Sequence, residues 1–254
     1  MRIVERVLLC LALYFFVTVI CTAQQKTEVA PKSKVEFTMY TIQKEDTAEG
    51  LFGDRWIDVL KFNRIDRNHF CVGRKIKIPL RLDDVKNYSP LPNFYEPAKI
   101  YEKYILISLG DQFLGCYEYG QLKMSFPIAS GKRGYDTPTG NFKILARHKN
   151  HRSSLYKIDG TNTLYPMHWA IKFKIYSNGS LWIHGRDMPG RPASHGCIGL
   201  YDEEMQKKYY GKPQEPVLVD IKILYLWLFP GTENEAEFKA VNNGSFIRIV
   251  KNLD

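Results

Sequence analysis

From residue 101 onward the chain is a series of short apolar runs with alternating polarity, broken by turn-forming residues. In chain order, the first runs and the turns between them are Tyr104–Leu109, Gly110-Asp111, Phe113–Tyr119, Gly120-Gln121 and Leu122–Ile128. Period-two alternation bounded by Gly-containing breaks predicts antiparallel strands. We therefore expect residues 101–251 to form a mainly β domain.

The end of this domain should contain two helices and a last strand. Asp202, Glu203 and Glu204 follow Tyr201 and suit the positive end of a helix dipole, so a helix should start there. A second helix is expected from Ile221 to Phe229 and a strand from Ser245 to Val250. His148 and His151 are flanked by basic residues, and we expect both histidines on an exposed loop.

The first 34 residues have the pattern of an export signal and a tether. Arg2 and Arg6 precede an apolar run and the small-residue triplet Cys21-Thr22-Ala23, which predicts a signal peptide over residues 1–23. An uncleaved membrane anchor is the alternative, although the run is shorter than the roughly 20 residues that a spanning helix needs. In both cases we expect the rest of the protein to be exported, to the periplasm or cell envelope. Residues 24–34 are polar and are expected to be a tether.

The cysteines and the net charge fit this location. Without the leader, Cys71, Cys116 and Cys197 remain. A Cys71–Cys116 disulfide is the only pairing that leaves Cys197 available, but free buried cysteines are common, so we expect all three to be free. The net charge of +9 suits a polyanionic environment such as the bacterial envelope. The export signal and the lack of a nucleic-acid motif argue against nucleic acid as a partner.

With 254 residues, the chain can hold a small domain in front of the β domain. Residues 35–84 read as strand, two short helices and strand, with Asp46 or Thr47 as an N-cap. Residues 85–100 contain Pro90 and Pro92, which cannot donate ladder hydrogen bonds, so we expect a linker there.

Residues 35–84 resemble the LysM module, which binds the glycan of peptidoglycan and chitin. The matching residues are Tyr40–Thr47, Asn63 and Gly73–Pro79; the segment departs from the family at Glu45, where Gly is usual. The resemblance implies a small α/β domain that binds glycan. The alternative is a small packing subdomain that does not bind sugar.

The segment with the most chemical information is His184-Gly185, followed after a short interval by Ser194-His195-Gly196-Cys197. A free thiol has a pKa near 8.5 and becomes a good nucleophile when a histidine or a helix N-terminus stabilises its thiolate. However, His184, His195 and Cys197 are also suitable ligands for zinc. From these residues alone, a cysteine nucleophile and a metal site both remain open.

The same segment resembles the L,D-transpeptidase catalytic domain of the YkuD family, whose signature is a His-Gly followed by Ser-His-Gly-Cys. The resemblance extends from about Lys103 to Val250 and includes Gly131-Lys132 and Thr137–Phe142. It implies a β-sandwich catalytic domain that works without a metal or an organic cofactor.

The resemblance also implies roles for individual residues. Cys197 matches the nucleophile and His184 the histidine that takes its proton, with the Gly185 carbonyl orienting the imidazole. His195 matches a second histidine, to which we assign positioning. Ser194 and Gly196, with the Cys197 N–H, would shape the loop that stabilises the oxyanion. Sequence alone does not separate the roles of the two histidines.

The activity implied is cross-linking of peptidoglycan. Cys197 would form a thioester with a donor stem tetrapeptide, release D-alanine and pass the acyl group to an amine on a neighbouring stem. Water as the acceptor would instead give an L,D-carboxypeptidase, and a catalytically silent wall-binding protein is the alternative from another class. The partners implied are stem peptides and glycan, with membrane contact only through an uncleaved leader.

One position departs from the catalytic family's pattern. The family usually has Arg or Asn two residues after the cysteine, whereas this chain has Gly199. Arg186 and Arg191 are candidates to compensate for the missing side chain. We expect both to be solvated loop charges.

Overall fold

The computed structural model describes residues 35–253. The expected signal peptide, residues 1–23, and tether, residues 24–34, lie outside the described residues. Within the described range, no helix is long and apolar enough to cross a membrane.

The N-terminal part of the described chain is a two-stranded sheet with two helices. Its elements are β1 (Phe37–Thr41), α1 (Ala48–Phe52), α2 (Trp56–Asn63) and β2 (Lys75–Pro79). β1 and β2 pair in antiparallel fashion, with Phe37 opposite Pro79. The expected order of strand, two short helices and strand is confirmed. We call residues 35–84 the N-terminal module.

Side-chain hydrogen bonds fix the turns of the N-terminal module. Thr47 caps α1, because its hydroxyl accepts the Gly50 N–H at 3.0 Å. Asp46 has a different role, since its carboxylate accepts the Tyr40 hydroxyl at 2.8 Å. Asn63 joins the end of α2 to β2 by accepting the Lys77 N–H at 2.7 Å and donating to the Lys77 carbonyl at 2.8 Å. The Thr47 bond satisfies a backbone N–H that the start of α1 leaves unpaired, and the Asn63 bonds satisfy the backbone groups of Lys77 in β2.

The C-terminal part is mainly β, as the alternating pattern predicts. Its strands are β3 (Tyr104–Ser108), β4 (Phe113–Glu118), β5 (Gln121–Pro127), β6 (Gly140–Lys143), β7 (Ala146–Lys157), β8 (Leu164–Tyr176), β9 (Gly179–Arg186), β10 (Ile198–Tyr201), β11 (Lys239–Ala240) and β12 (Phe246–Val250). They form two five-stranded sheets, ordered β5-β4-β3-β12-β6 and β10-β9-β8-β7-β11.

The two sheets enclose the main hydrophobic core. Ile105 and Ile107 of β3 are fully buried in one cluster with Ile171 of β8 and Ile183 of β9. Helix α4 (Asp220–Leu228) contributes a face to the same cluster. Helix α3 (Glu203–Tyr210) begins at Asp202, whose carboxylate accepts the Met205 N–H at 2.9 Å. Both expected helices and the last strand are therefore present.

The expectation of an exposed loop around His148 and His151 is wrong. Both histidines lie on β7, which pairs with β8 over most of its length. The His151 ring stacks on Trp182 with centroids 4.2 Å apart. The polar and basic sequence of β7 conceals the strand, because cross-strand aromatic contacts are not visible from local composition.

Residues 85–100 join the two parts of the chain and are themselves built into the fold. The Tyr95 N–H donates to the Gly120 carbonyl, and the Leu122 N–H donates to the Asn93 carbonyl, both at 2.8 Å. Leu91 is completely buried. The segment therefore follows the edge of β5 instead of crossing solvent.

The N-terminal module and the β domain share a hydrophobic core. Ile42, Leu60 and Ile65 of the module are buried in the same cluster as Met188 and Tyr201 of the β domain. Residues 35–253 accordingly belong to one compact unit. Removing the module would expose apolar surface of the β domain to water, at a cost in free energy of unfolding that scales with the exposed area.

Polar contacts across this boundary are also buried. Arg67, in the turn after α2, donates two hydrogen bonds to Glu203, with Nε–Oε1 at 2.9 Å and Nη2–Oε2 at 2.7 Å. The Glu203 side chain is fully buried and also accepts the Val217 and Leu218 backbone N–H groups. A buried carboxylate with this partner set depends on each donor, because no water replaces a lost one.

We predict that Arg67→Met lowers the free energy of unfolding by roughly 3 kcal/mol, because Glu203 keeps its burial and loses its counter-ion. The matched control is Arg81→Met, whose ion pair with Asp84 is exposed and should contribute less than about 1 kcal/mol. Urea unfolding followed by tryptophan fluorescence measures both. Equal, small losses in the free energy of unfolding would contradict the prediction that the Arg67–Glu203 pair stabilises the contact between the N-terminal module and the β domain.

Candidate active site

The signature residues come together on one face of two neighbouring strands. β9 and β10 are parallel, with Gly199 opposite His184 and Ile198 opposite Ile183. Side chains alternate between the faces of a strand. Because Ile183 and Ile198 point into the core, His184 and Cys197 belong to the opposite face. We call this the active face; Trp182, His184 and Arg186 on β9 share it with Cys197 and Gly199.

Cys197 lies immediately before β10 in a partly buried position. It packs against a cluster of Met167, Ala170 and Trp182. Burial raises the pKa of the Cys197 thiol above its ordinary value, while a hydrogen bond with the Trp182 backbone and the charge of Arg186 act in the opposite direction. The three cysteines of the described chain, Cys71, Cys116 and Cys197, are all free.

His184 is buried and held by its own strand. Its Nδ1 lies 2.8 Å from the Gly185 carbonyl oxygen, which can only accept, so Nδ1 carries the proton and Nε2 is left as an acceptor. Burial is the main cause that lowers the pKa of His184 to about 3, so the ring is neutral near neutral pH. Among the hydrogen bonds of residues 35–253, none joins this imidazole directly to the Cys197 thiol. Catalytic hydrogen bonds often form fully only when substrate is bound.

Ser194 and Gly196 shape the turn that presents Cys197. The Ser194 hydroxyl donates to the Cys197 carbonyl at 2.5 Å and accepts the Gly196 N–H at 3.1 Å. Gly196 has φ +106°, a conformation that side chains other than glycine rarely adopt. Thr137 donates to the Gly196 carbonyl at 3.0 Å, which links this turn to the loop before β6.

His195 lies on the rim of the site, in contrast to His184. Its ring stacks on Tyr156 and meets the edge of Tyr135, with both centroid distances 4.4 Å. The side chain is exposed. Partial burial, and then the charges of Lys132 and Arg186, lower the pKa of His195. The two histidines therefore have different environments, with His184 buried on β9 and His195 exposed between two tyrosines.

Gly185 is required for space next to a buried carboxylate. A Cβ at this position would lie 2.2 Å from Oδ2 of Asp202. That oxygen is buried without a hydrogen-bond partner among the described residues, and burial raises the pKa of Asp202 to about 6. A side chain at position 185 would therefore displace either the Asp202 side chain or the backbone whose carbonyl orients His184.

The expectation that Arg186 is a solvated loop charge is wrong. Its side chain is only 11% exposed, and its methylene groups cover Gly199 on the active face. Arg191 is exposed, as expected. The signal that could identify Arg186 in the sequence is the alternation along Trp182–Arg186. When this run is read as a strand, Arg186 lies on the same face as His184.

Two further groups of aromatic residues and histidines belong to the site. The rings of Tyr135 and Tyr156 contact His195. The His151 ring stacks on Trp182, against which Cys197 packs. No local sequence signal identifies these contacts, because each joins elements that are distant in the chain. Trp169 is buried in the core, whereas Tyr165 donates to Asp187 at 3.1 Å.

The three residues that are chemically suitable zinc ligands, His184, His195 and Cys197, are not arranged as one ligand group. Among residues 35–253, no group of three or more His, Cys, Asp or Glu side chains is arranged so that it could hold a metal ion. In particular, His184 and His195 have separate surroundings, one buried on β9 and the other stacked between two tyrosines.

Comparison with known protein families identifies the β domain. Residues 102–221 match the family model of YkuD, the L,D-transpeptidase catalytic domain. The expected resemblance of this part of the chain to the YkuD L,D-transpeptidase catalytic domain is therefore confirmed. No curated protein matches the chain.

Several solved structures are similar at a low level. An L,D-transpeptidase of Mycobacterium smegmatis is 16% identical, with a TM-score of 0.41, over 59% of this chain and 58% of its own. One of Xylanimonas cellulosilytica is 19% identical, with a TM-score of 0.44, over 76% and 77%. One of Enterococcus faecium is 20% identical, with a TM-score of 0.39, over 59% and 50%. The chain spans between 57% and 59% of the length of the first structures found.

We predict that alkylation of Cys197 by iodoacetamide accelerates by about tenfold per pH unit from about pH 6 to about pH 9, without a plateau. The reason is that a raised thiol pKa leaves the thiolate a minor species, while the lowered pKa of His184 keeps the imidazole neutral throughout. Mass spectrometry of the Cys197 peptide measures the rate, with Cys197→Ala as the blank. A plateau below about pH 7 would instead indicate a thiolate–imidazolium pair.

Proposed function

We propose that this protein is a peptidoglycan L,D-transpeptidase in which Cys197 is the nucleophile and His184 the base. The observation that supports this proposal most directly is the His184–Gly185 hydrogen bond, which leaves Nε2 as a proton acceptor on the face that carries Cys197. The family match of residues 102–221 supplies the reaction class. The site described above supplies the residues.

In the first half-reaction, the Cys197 thiol loses its proton to His184 Nε2 as Sγ attacks the carbonyl between the L-centre and D-alanine. Because His184 is neutral and Cys197 is protonated at rest, this proton transfer has to accompany the attack. The carbonyl oxygen becomes an oxyanion. We assign its stabilisation to the Cys197 N–H, since the Gly196 N–H is already bonded to Ser194.

Collapse of this intermediate breaks the C–N bond. His184 returns the proton to the leaving nitrogen, D-alanine departs and a thioester remains on Cys197. In the second half-reaction, an amine on a neighbouring stem attacks the thioester and gives its proton to His184. The new amide forms, and the thiol is regenerated when its sulfur takes the proton back. With water in place of the amine, the same steps give carboxypeptidase activity.

The setting that we propose is the cell envelope. The export signal expected in residues 1–23 supports this setting, and the positive net charge suits anionic wall polymers. The partners are stem peptides and glycan, without nucleic acid. The N-terminal module would contribute LysM-like glycan binding from its solvent-facing side, since its other side is buried against the catalytic domain.

We predict that the purified protein releases D-alanine from a disaccharide tetrapeptide and forms cross-linked dimers, and that Cys197→Ala abolishes both. His184→Ala should slow the reaction by a factor on the order of 10² near neutral pH, because the thiol loses its base. His195→Ala should slow it less. Muropeptide analysis by liquid chromatography and mass spectrometry gives all products; hydrolysis without dimers would favour the carboxypeptidase.

Acylation by a carbapenem gives an independent check of the nucleophile. Intact-mass analysis should show one adduct, mapped to the Cys197 peptide and absent in Cys197→Ala. Cys71→Ala is the matched control, since Cys71 is an exposed free thiol of the N-terminal module. An inert Cys197 in a folded protein would support the catalytically silent alternative.

We predict that the Cys197→Ala protein is retained on purified sacculi and is released by soluble chitin oligosaccharides. These oligosaccharides carry no stem peptide, so release by them reports glycan binding and not binding at the active face. The whole chain is used because the N-terminal module and catalytic domain share a core. Retention that chitin oligosaccharides do not reduce would favour a packing subdomain without sugar binding.

A further inference from the structure

Gly199 occupies a central position on the active face, directly opposite His184 and two residues after the nucleophile. Its φ lies outside the left-handed region, so its backbone conformation does not require glycine. Its lack of a side chain must therefore be explained by what fills the space above it.

The space above Gly199 is filled by Arg186. A Cβ built on Gly199 would lie 1.8 Å from Cδ and 2.1 Å from Cγ of Arg186. These atoms belong to the middle of the side chain, so a small rotation of the guanidinium would not relieve the overlap. A side chain at position 199 and the observed position of Arg186 therefore exclude each other.

The guanidinium of Arg186 is held at this point and still has donors to offer. Nε donates to the Asp187 carbonyl at 2.8 Å, and Nη2 lies 3.5 Å from the Asp187 carboxylate. Asp187 is in turn fixed by the Tyr165 hydroxyl and lies 3.8 Å from His69 of the N-terminal module. Among the described residues, Nη1 has no hydrogen-bond acceptor. A guanidinium with a fixed position and unused donors is suited to a carboxylate.

The charge of Arg186 reaches the reacting groups. It acts to lower the pKa of Cys197, of His184 and of His195, each behind the larger effect of burial. The other charges that act on these residues are Lys132 for His195, and His151 and Asp187 for His184. Arg186 differs from these other charges because it acts on Cys197, His184 and His195 alike.

We propose that Arg186, whose side chain passes over the backbone of Gly199, is the specificity-determining residue that binds the terminal carboxylate of the donor peptide. This inference rests on the proposed function. In a donor that ends in D-alanine, the carboxylate carbon is two bonds beyond the nitrogen of the scissile amide. A substrate whose carbonyl lies at Cys197 therefore brings that carboxylate to the neighbourhood that the guanidinium occupies. The residue does not replace the base; it recognises the leaving half of the donor.

The first test needs no peptidoglycan. Iodoacetate and iodoacetamide form the same bond to Cys197 Sγ with loss of iodide, but only iodoacetate carries a carboxylate. The ratio of their rate constants cancels the thiolate fraction and reports anion binding beside Cys197. We expect Arg186→Met to lower this ratio about tenfold. Gly199→Ala should lower it as well, by displacing Arg186, whereas Arg191→Met should not change it. A ratio unchanged in Arg186→Met overturns the proposal.

The second test compares a tetrapeptide donor with its C-terminal amide. In the wild-type protein the amide should be the poorer donor, and Arg186→Met should remove most of the difference by lowering kcat/KM for the acid alone. Arg186→Lys, which keeps the charge, should retain part of the preference and guards against misfolding of the Met variant. Equal use of acid and amide by the wild type overturns the proposal. A shifted alkylation ratio without any peptide turnover would instead contradict the proposed function and leave the anion site in place.

Discussion

The short strand Ile198–Tyr201 is the element on which the site depends. On one side it pairs with β9; on the other, Gly199 exchanges two backbone hydrogen bonds with Ala129, at 2.9 and 3.0 Å. Ala129 follows β5 of the opposite sheet, so β10 joins the two sheets at this edge. The adjacent Ser194 N–H donates to the Ser130 carbonyl at 3.0 Å. Because a backbone paired on both sides cannot shift without losing several hydrogen bonds, Cys197 has a fixed position relative to His184.

The N-terminal module supports the same region from outside. Asp66, fully buried at the turn after α2, accepts the Met188 N–H at 2.6 Å and the Gln206 side-chain amide at 3.0 Å. Arg74 donates to the Pro189 carbonyl at 2.5 Å. These contacts hold the loop that follows Arg186. The module thus has a structural role next to the catalytic domain besides any glycan binding. This role agrees with its apolar side chains being buried against Met188 and Tyr201 of that domain.

The electrostatics of the site follow from burial. Desolvation disfavours both charged partners, the thiolate and the imidazolium, so the resting pair is neutral. The Arg186 guanidinium has acceptors in Asp187, and the methylene groups of its side chain, not the guanidinium, are packed over Gly199. At rest, Cys197 and His184 are therefore both neutral, and Arg186 lies beside them. In the proposed reaction, negative charge forms on the substrate carbonyl oxygen only after the donor peptide has bound.

The sequence by itself determined the mainly β class, the strand-helix-helix-strand order of the module, the helix start at Asp202 and the Cys197 signature. Each of these depends on local periodicity, capping or adjacent residues, which a single chain segment expresses. It did not reveal β7, whose histidines were assigned to a loop, or the shared core that joins residues 35–84 to Tyr201. Only the tertiary structure explains why position 199 has no side chain, because the Arg186 side chain that occupies the space above it comes from a neighbouring strand. Parallel pairing brings Arg186 and Gly199 together, and no pattern within either strand records that register.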